Sequence, residues 1–271
     1  MPSEGPVEGG SGAVIEMNHV GLSYKAAGGR VVEALRDISL SVPLRSVTSV
    51  VGPSGCGKTT LLKLVSKVFV PSSGSILVEG QPLARANLAG RLSYVFQKPL
   101  LLPWRSALKN VLMPLEITVG RITALEVERA RAALELTGLS GFEDSYPIQL
   151  SGGMQQRVSL ARALVLQPEI LLMDEPFSAL DEITRESLQS ELLRIWERTN
   201  SAALFITHNV DEAVLLSDEI IVLSSRPGQI VSKISVDLPR PRNLDVRRER
   251  RYRELVEEVR TALRHRKQEG G

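Results

Sequence analysis

The sequence predicts an α/β fold: a mostly parallel sheet, a sheet-rich N-terminal part and an inserted helical subdomain. Three observations predict it. Val47-Thr48-Ser49-Val50-Val51 is an apolar, β-branched run that leads through a glycine-rich loop into the helix-competent stretch Leu61–Val68, so strand, loop and helix follow one another. Short, wholly apolar strands return after residue 170, as expected when both faces of a parallel sheet are covered. Between Pro99 and Pro168 the apolar spacing is instead helical.

The elements follow in order. Met1 to Gly12 is rich in Gly, Pro, Ser and Glu. It lacks the basic start and apolar centre of a secretory signal, and is expected to be a flexible tail. Val14–Tyr24 alternates and predicts a strand, Ala26–Gly29 a turn, and Val31–Leu35 and Ser39–Val42 two more strands. Gly74–Gly80 is a strand bounded by glycines, and Arg91–Phe96 a short strand ending at Gln97. Ser106–Met113 predicts a helix that Pro114 closes. Thr123–Thr137 predicts another, with Leu125, Val127, Ala130, Leu134 and Leu136 near helical spacing. Met154–Leu166 carries Met154, Val158, Ala161 and Val165 on one stripe, and Pro168 stops it. These helices define the helical subdomain, about 98–167. Ile170–Met173 and Ala202–Thr207 are buried strands, with the helix Glu182–Thr199 between them. Glu219–Leu223 and Gln229–Val236 close the core, so one domain is expected over 13–237.

The extension 238–271 is basic, with Arg240, Arg242, Arg247, Arg248, Arg250, Arg251 and Arg253 among interleaved glutamates. Leu255, Val259 and Leu263 predict an amphipathic helix. That helix packs on the main domain with a solvated charged face, or presents a dimer or membrane-surface contact.

The 271 residues carry a net charge of +2, so composition leaves no nucleic-acid footprint. Tyr252 is the only Phe, Tyr or Trp in the tail, too little for base stacking. A single cysteine, Cys56, excludes an internal disulfide and fits a reducing compartment. No apolar run approaches the roughly 20 residues that span a bilayer.

The chemistry begins at residues 52–60: Gly52, Pro53, Ser54, Gly55, Cys56, Gly57, Lys58, Thr59, Thr60. The glycines let backbone N–H groups approach an anion, and the following helix start adds free donors and a positive dipole end. Lys58 would reach β- and γ-phosphates, Thr59 would offer its hydroxyl to Mg²⁺, and Thr60 would extend the cradle. The strand 170–173 ends in Asp174 and Glu175. Asp174 would hold Mg²⁺, and Glu175, facing elsewhere, would polarise the attacking water. Leu150-Ser151-Gly152-Gly153-Met154-Gln155 is a second anion-binding helix start, with Ser151 as its cap. One nucleotide does not need two cradles from one subunit. A natural solution is that Ser151 and Gly153 meet the γ-phosphate held by a partner; an ordinary Ser-Gly-Gly turn is the alternative.

In this order the motifs resemble those of an ATP-binding cassette ATPase, the soluble motor subunit of a membrane transporter, over about residues 14–235. Residues 52–60 resemble its Walker A loop and 170–174 its Walker B strand. Leu150–Gln155 resembles its signature, Ser178-Ala179-Leu180-Asp181 its D-loop, and Gln97 the Q-loop glutamine. His208 resembles the switch histidine and Tyr24 the aromatic residue that stacks on adenine. The resemblance implies a P-loop NTPase core with a mostly parallel sheet, an antiparallel β subdomain and an inserted helical subdomain, and ATP and Mg²⁺ as cofactors. It implies Glu175, His208 and Gln97 as catalytic residues, and Thr59, Gln97 and Asp174 around the metal. Tyr24, residues 52–60, Ser151, Gly152, Gly153, Gln155 and Asp181 would bind the nucleotide. It further implies a head-to-tail homodimer around two ATP molecules, transmembrane permease subunits and, indirectly, a substrate-binding protein. The expected place is the cytoplasmic face of a membrane, and no nucleic acid is expected. Read locally, His208 could be structural, with Asp211 capping the next helix, Gln97 a surface amide and Tyr24 core packing.

Gln97–Arg105 suits docking of a partner helix or local loop packing. Its Leu-Leu-Pro-Trp-Arg run, with Ser225–Gly228 and Leu238–Arg242, resembles the importer branch for nitrate, sulfonates, taurine or bicarbonate. An exporter motor stays open as an alternative. A nucleic-acid ATPase would need long coiled-coil insertions, and a small-molecule kinase would not need the signature.

Overall fold

The computed structural model describes residues 12–25, 29, 31–199 and 201–264. Nearly all of the expected 1–12 tail, most of the 26–29 turn and the end of the basic extension lie outside them. The chain opens with two long strands, β1 (Ala13–Lys25) and β2 (Val31–Pro43). β3 (Val47–Val51) runs through the glycine loop into α1 (Lys58–Val65). Next come β4 (Ser73–Val78), the short β5 (Gln81–Pro82) and β6 (Leu92–Val95). The helices α2 (Ala107–Val119), α3 (Ala124–Leu136) and α4 (Gly152–Leu164) follow. The alternation then resumes with β7 (Ile170–Asp174), α5 (Glu182–Arg198), β8 (Ala202–Ile206), α6 (Val210–Leu216), β9 (Glu219–Leu223) and β10 (Ile230–Ser235). A 3₁₀ turn at Leu244–Arg248 precedes α7 (Arg250–Arg264).

The strands form two sheets. One is antiparallel, in the order β2-β1-β4-β5. The other runs β10-β9-β3-β8-β7-β6, parallel except for its β9–β10 edge pair. Every residue of β3, β7 and β8 is buried, which explains their unbroken apolar sequence. This arrangement sets the ends of β3, β6, β7 and β8 side by side, where α/β sheets hold their ligands. The helices α2, α3 and α4 share a separate apolar core built around Val111, Leu115, Leu134 and Val158.

Four local expectations need correction. Val31–Leu35 and Ser39–Val42 belong to one strand, because a bulge at Arg36-Asp37 (Asp37 φ +52°) keeps Leu35 and Ile38 both fully buried. Pro114 does not close its helix. It forgoes one backbone bond while its ring φ suits a helix, and burial of Leu115 carries α2 on to Val119. The glycine-loop and Ser151 helices each begin earlier than their apolar runs, at Lys58 and Gly152.

The fourth concerns α6, capped by Asn209 rather than Asp211. The Asn209 carboxamide oxygen accepts from the Asp211 and Glu212 N–H groups at 2.9 and 3.3 Å.

The basic extension packs on the main body. Tyr252, Leu255, Val256 and Val259 are buried in the core shared with α6, β9 and β10. Arg242 is buried with them. Its guanidinium donates to the carbonyls of Leu215, Ser217, Val236 and Leu238, and burial pulls its pKa down to about 10, which leaves it a cation at neutral pH. Among the described residues no helix is long and apolar enough to cross a membrane.

Candidate functional site

The glycine loop is shaped by contacts that only glycine tolerates. A Cβ on Gly52 would lie 2.8 Å from the Cys56 Sγ. Gly57 has φ +106°, and a Cβ there would meet Leu35 at 2.7 Å and the Ala34 carbonyl at 2.9 Å. Gly55 is also left-handed, with φ +75° and open space around it. Cys56 is buried, and burial pushes its thiol pKa up, so it is a small packing residue and not a reactive thiolate. Lys58 is 6% exposed, and its ammonium donates to the Gly52 and Pro53 carbonyls at 2.8 and 3.1 Å. The loop therefore curls around its own lysine. Ser54 and Thr59 are exposed and Thr60 half-buried on the same turn.

Sheet order brings the strand-end residues to this loop. The Thr59 hydroxyl lies 3.1 Å from Asp174 Oδ1, and the Tyr94 hydroxyl donates to Asp174 Oδ2 at 3.3 Å. Burial raises the Asp174 pKa, opposed by those two hydroxyls. Glu175 turns away with φ +45°, a strained value for a non-glycine residue. Its N–H donates to the Ile206 carbonyl at 2.9 Å, which ties the end of β7 to the end of β8. His208, just beyond β8, places Nδ1 3.0 Å from Glu175 Oε2. Gln97, just beyond β6, points its amide at the same oxygen at 3.4 Å and donates to Ser178 Oγ at 3.2 Å. Gln97, Glu175 and His208 thus converge on one carboxylate oxygen, beside the Thr59–Asp174 pair.

Other sequence-predicted residues stand apart from this cluster. Ser151 and Gly152 are exposed at the start of α4, and the Ser151 hydroxyl accepts from the Met154 N–H at 3.2 Å within its own turn. Gly153 is buried against α5, and a Cβ there would lie 2.3 Å from Thr184 Cγ2. Gln155 donates to the Pro147 and Leu150 carbonyls, bracing the loop before α4. Asp181 caps α5 by accepting from the Thr184 N–H at 3.0 Å. Tyr24 is 41% exposed, opposite Val32 in the antiparallel sheet.

The segment after Gln97 exposes Leu100 and Trp104, while Arg162 and Asn110 hold its backbone carbonyls from behind. Sequence reasoning missed Tyr94, whose only signal was its place near the end of a strand beside β7.

The residues present fit a magnesium nucleotide. Thr59 and Asp174 are two adjacent hard oxygen donors. Mg²⁺ commonly takes one or two protein oxygens and fills its remaining positions with water and phosphate. Among the described residues no group of three or more His, Cys, Asp or Glu could hold a metal, so an all-protein cage is not what this site offers.

Comparison with known proteins bears on this arrangement. A family model described as "ABC transporter" matches residues 35–178. The chain is 49% identical over 215 residues to an uncharacterized ABC transporter ATP-binding protein of Methanocaldococcus jannaschii, covering 79% of each chain. It is 39% identical to a taurine import ATP-binding protein of Rhizobium johnstonii, covering 92% of this chain and 96% of that one. It is 38% identical to an aliphatic sulfonates import ATP-binding protein of Bacillus cereus, covering 79% and 83%. Among solved structures, a bacterial ABC transporter cassette described as dimeric superposes with a TM-score of 0.74 at 30% identity, covering 83% of this chain and all of that one. The same cassette, bound to ADP and Pi in a post-hydrolysis state, gives 0.72 at 29%.

Proposed function

The chain belongs to the ABC transporter ATPase family, and we propose that it hydrolyses ATP to energise import of a small organic anion. Taurine and aliphatic sulfonates lead as cargo, because relatives at 38–44% identity bear those names. Nitrate and bicarbonate, small inorganic anions of the same importer branch, are the alternative cargo. The observation that carries the catalytic part is the convergence of Gln97, Glu175 and His208 beside Thr59 and Asp174.

The chemistry follows from that geometry. The N–H groups of the 52–60 loop, Pro53 excepted, and the Lys58 ammonium hold the triphosphate. Thr59 and Asp174, with Gln97 nearby, would hold Mg²⁺, which would neutralise charge on the phosphate oxygens. Glu175 accepts a proton from water as the water oxygen bonds to the γ-phosphorus. The bond from that phosphorus to the β–γ bridging oxygen breaks, and ADP leaves with the bond's electrons. His208 and Gln97 hold the Glu175 carboxylate in place, and His208 reaches the γ-phosphate.

The exposed Ser151 turn completes the site on a second copy, so that two ATP molecules are enclosed by Ser151, Gly152 and Gly153 of the partner subunit. A two-fold axis makes this exchange reciprocal. Tyr24 stacks on adenine, and Asp181 lies at the dimer seam. Leu100 and Trp104 offer an apolar contact to a permease helix, and on this reading the protein works as a peripheral subunit on the cytoplasmic side of a membrane. A substrate-binding protein delivers cargo to that permease.

The test is phosphate release by the purified protein, together with copurification from membranes. The expected result is Mg²⁺-dependent ATP turnover, a polytopic membrane protein in the purified complex, and taurine or sulfonate uptake by cells that stops in the Lys58→Ala variant. Turnover unaffected by Lys58→Ala would overturn the catalytic assignment. Uptake unaffected while efflux is lost would turn the reading to an exporter.

A further inference from the structure

A polar path, buried at Thr207 and Glu212 and half-buried at Arg185, joins the His208 turn to the Ser178–Asp181 loop, and the hydrolysis chemistry does not use it. Thr207, immediately before His208, is 1% exposed, and its hydroxyl donates to Glu212 Oε2 at 2.5 Å. Glu212 is 5% exposed at the start of α6. Its Oε1 lies 3.7 Å from Arg185 Nε on α5. The other end of that guanidinium donates to the Leu180 carbonyl at 2.8 Å, one residue before Asp181.

Stability alone is a poor account of this path. Burying the Glu212 carboxylate costs desolvation that its ion pair only partly repays. Here burial also pushes the Glu212 carboxyl pKa up, against the pull of Thr207, Arg185 and His208 and with the repulsion of Glu175. Arg185 Nε is buried and has no hydrogen-bond partner, a costly state. A movement of about 0.8 Å between α5 and α6 would close the 3.7 Å gap to an ordinary hydrogen bond. The pair is poised one small step from its tightest arrangement.

We propose that Glu212 and Arg185 are positioning residues that couple the 178–181 loop to the His208 turn, so that docking of that loop against a second copy steadies the His208–Glu175 contact already formed within the chain. The proposal rests on the shared-site reading above. It adds an internal link by which occupancy of the dimer seam reaches the catalytic carboxylate through α5 and α6. The coupling is physical because both helices follow directly from the loops they hold, and their starts are joined through three side chains.

The test is a double-mutant cycle on ATP turnover with Glu212→Gln and Arg185→Gln, alongside the equilibrium affinity for a fluorescent ATP analogue. Each single variant is expected to lower kcat about tenfold with KM and analogue affinity within about twofold, and the double variant to lose no more than either single. In a Glu175→Gln background, Glu212→Gln is expected to weaken ATP-dependent dimerisation about tenfold.

Singles that keep wild-type kcat, or losses that multiply in the double variant, would overturn the link. If Glu175→Gln alone does not dimerise with ATP, the shared-site reading fails, and the kcat cycle still decides whether the two helices are coupled. Should Glu212→Gln not fold, Thr207→Val and Arg185→Gln form the same cycle from the two ends of the path.

Discussion

Two helix starts in this molecule both follow glycine-rich turns, yet they are built oppositely. α1 begins at Gly57 in the left-handed region with no side-chain cap and no acidic residue in its first turn. That start sits on the loop whose carbonyls accept from the Lys58 ammonium. α4 begins at Ser151 in extended conformation, and the serine hydroxyl already accepts from the Met154 N–H. The first helix start lies beside its own subunit's carboxylates, where Thr59 touches Asp174. The second is exposed, and its hydrogen bonds stay within its own turn. A glycine-rich helix start is therefore an anion cradle only where its donors remain free. Where a serine caps it, the exposed hydroxyl and the open Gly152 are what it can offer to a second molecule.

The largest expected effects break the first cradle. Lys58→Ala should lower ATP turnover at least about a hundredfold, read by phosphate release, because the ammonium that faces the loop interior is lost. Glu175→Gln should still bind ATP, hydrolyse it at least about a hundredfold more slowly, and accumulate ATP-dependent dimers on size exclusion. A Glu175→Gln protein that stays monomeric with ATP would place the second helix start outside the site.

Smaller effects sharpen the contrast at α4. Gly153→Ala should cost about 1–3 kcal/mol in urea unfolding, because the new methyl meets Thr184 at 2.3 Å. Thr184→Ala in the same chain should restore that loss. Gly152→Ala meets nothing within 4 Å, so its stability should match or exceed wild type, and any fall in turnover would report on the dimer seam. Ser151→Ala should cost about 1 kcal/mol as a lost cap. A turnover loss well beyond that cost would identify the hydroxyl as a ligand of the second copy's nucleotide.

The smallest effect is a pH dependence at α6. Burial raises the Glu212 pKa in the folded state above its unfolded value. The native state then holds the proton more tightly, so stability contributed by the protonated carboxyl is lost as pH rises through the folded pKa. Glu212→Gln cannot ionise. Its melting temperature relative to wild type should therefore improve as pH rises from the ordinary glutamate range toward neutrality. A difference independent of pH would show that Arg185 fully offsets the burial of Glu212.

The extent to which each region could be read differs in the same way. The glycine loop and the Asp174-Glu175 strand end are local patterns, and both proved to lie in the cluster. The Ser151 turn was equally visible, but not that Gly153 is required by Thr184 of α5. Asp211 resembled a cap, yet Asn209 does the capping, because an acidic residue in the first turn and a true cap differ only in backbone conformation.

The amino-acid order by itself determined the strand–loop–helix at 47–65, the run of helices within 107–164 and the return of buried strands at 170–174 and 202–206, because each rests on spacing and backbone preference within a few residues. Only the tertiary structure decided that Gln97 and His208, 78 and 33 residues from Glu175, meet on one of its oxygens, and that Tyr94 reaches Asp174. Those contacts depend on β6, β7 and β8 lying side by side, and strand order is set by burial of the whole sheet, which no local pattern encodes.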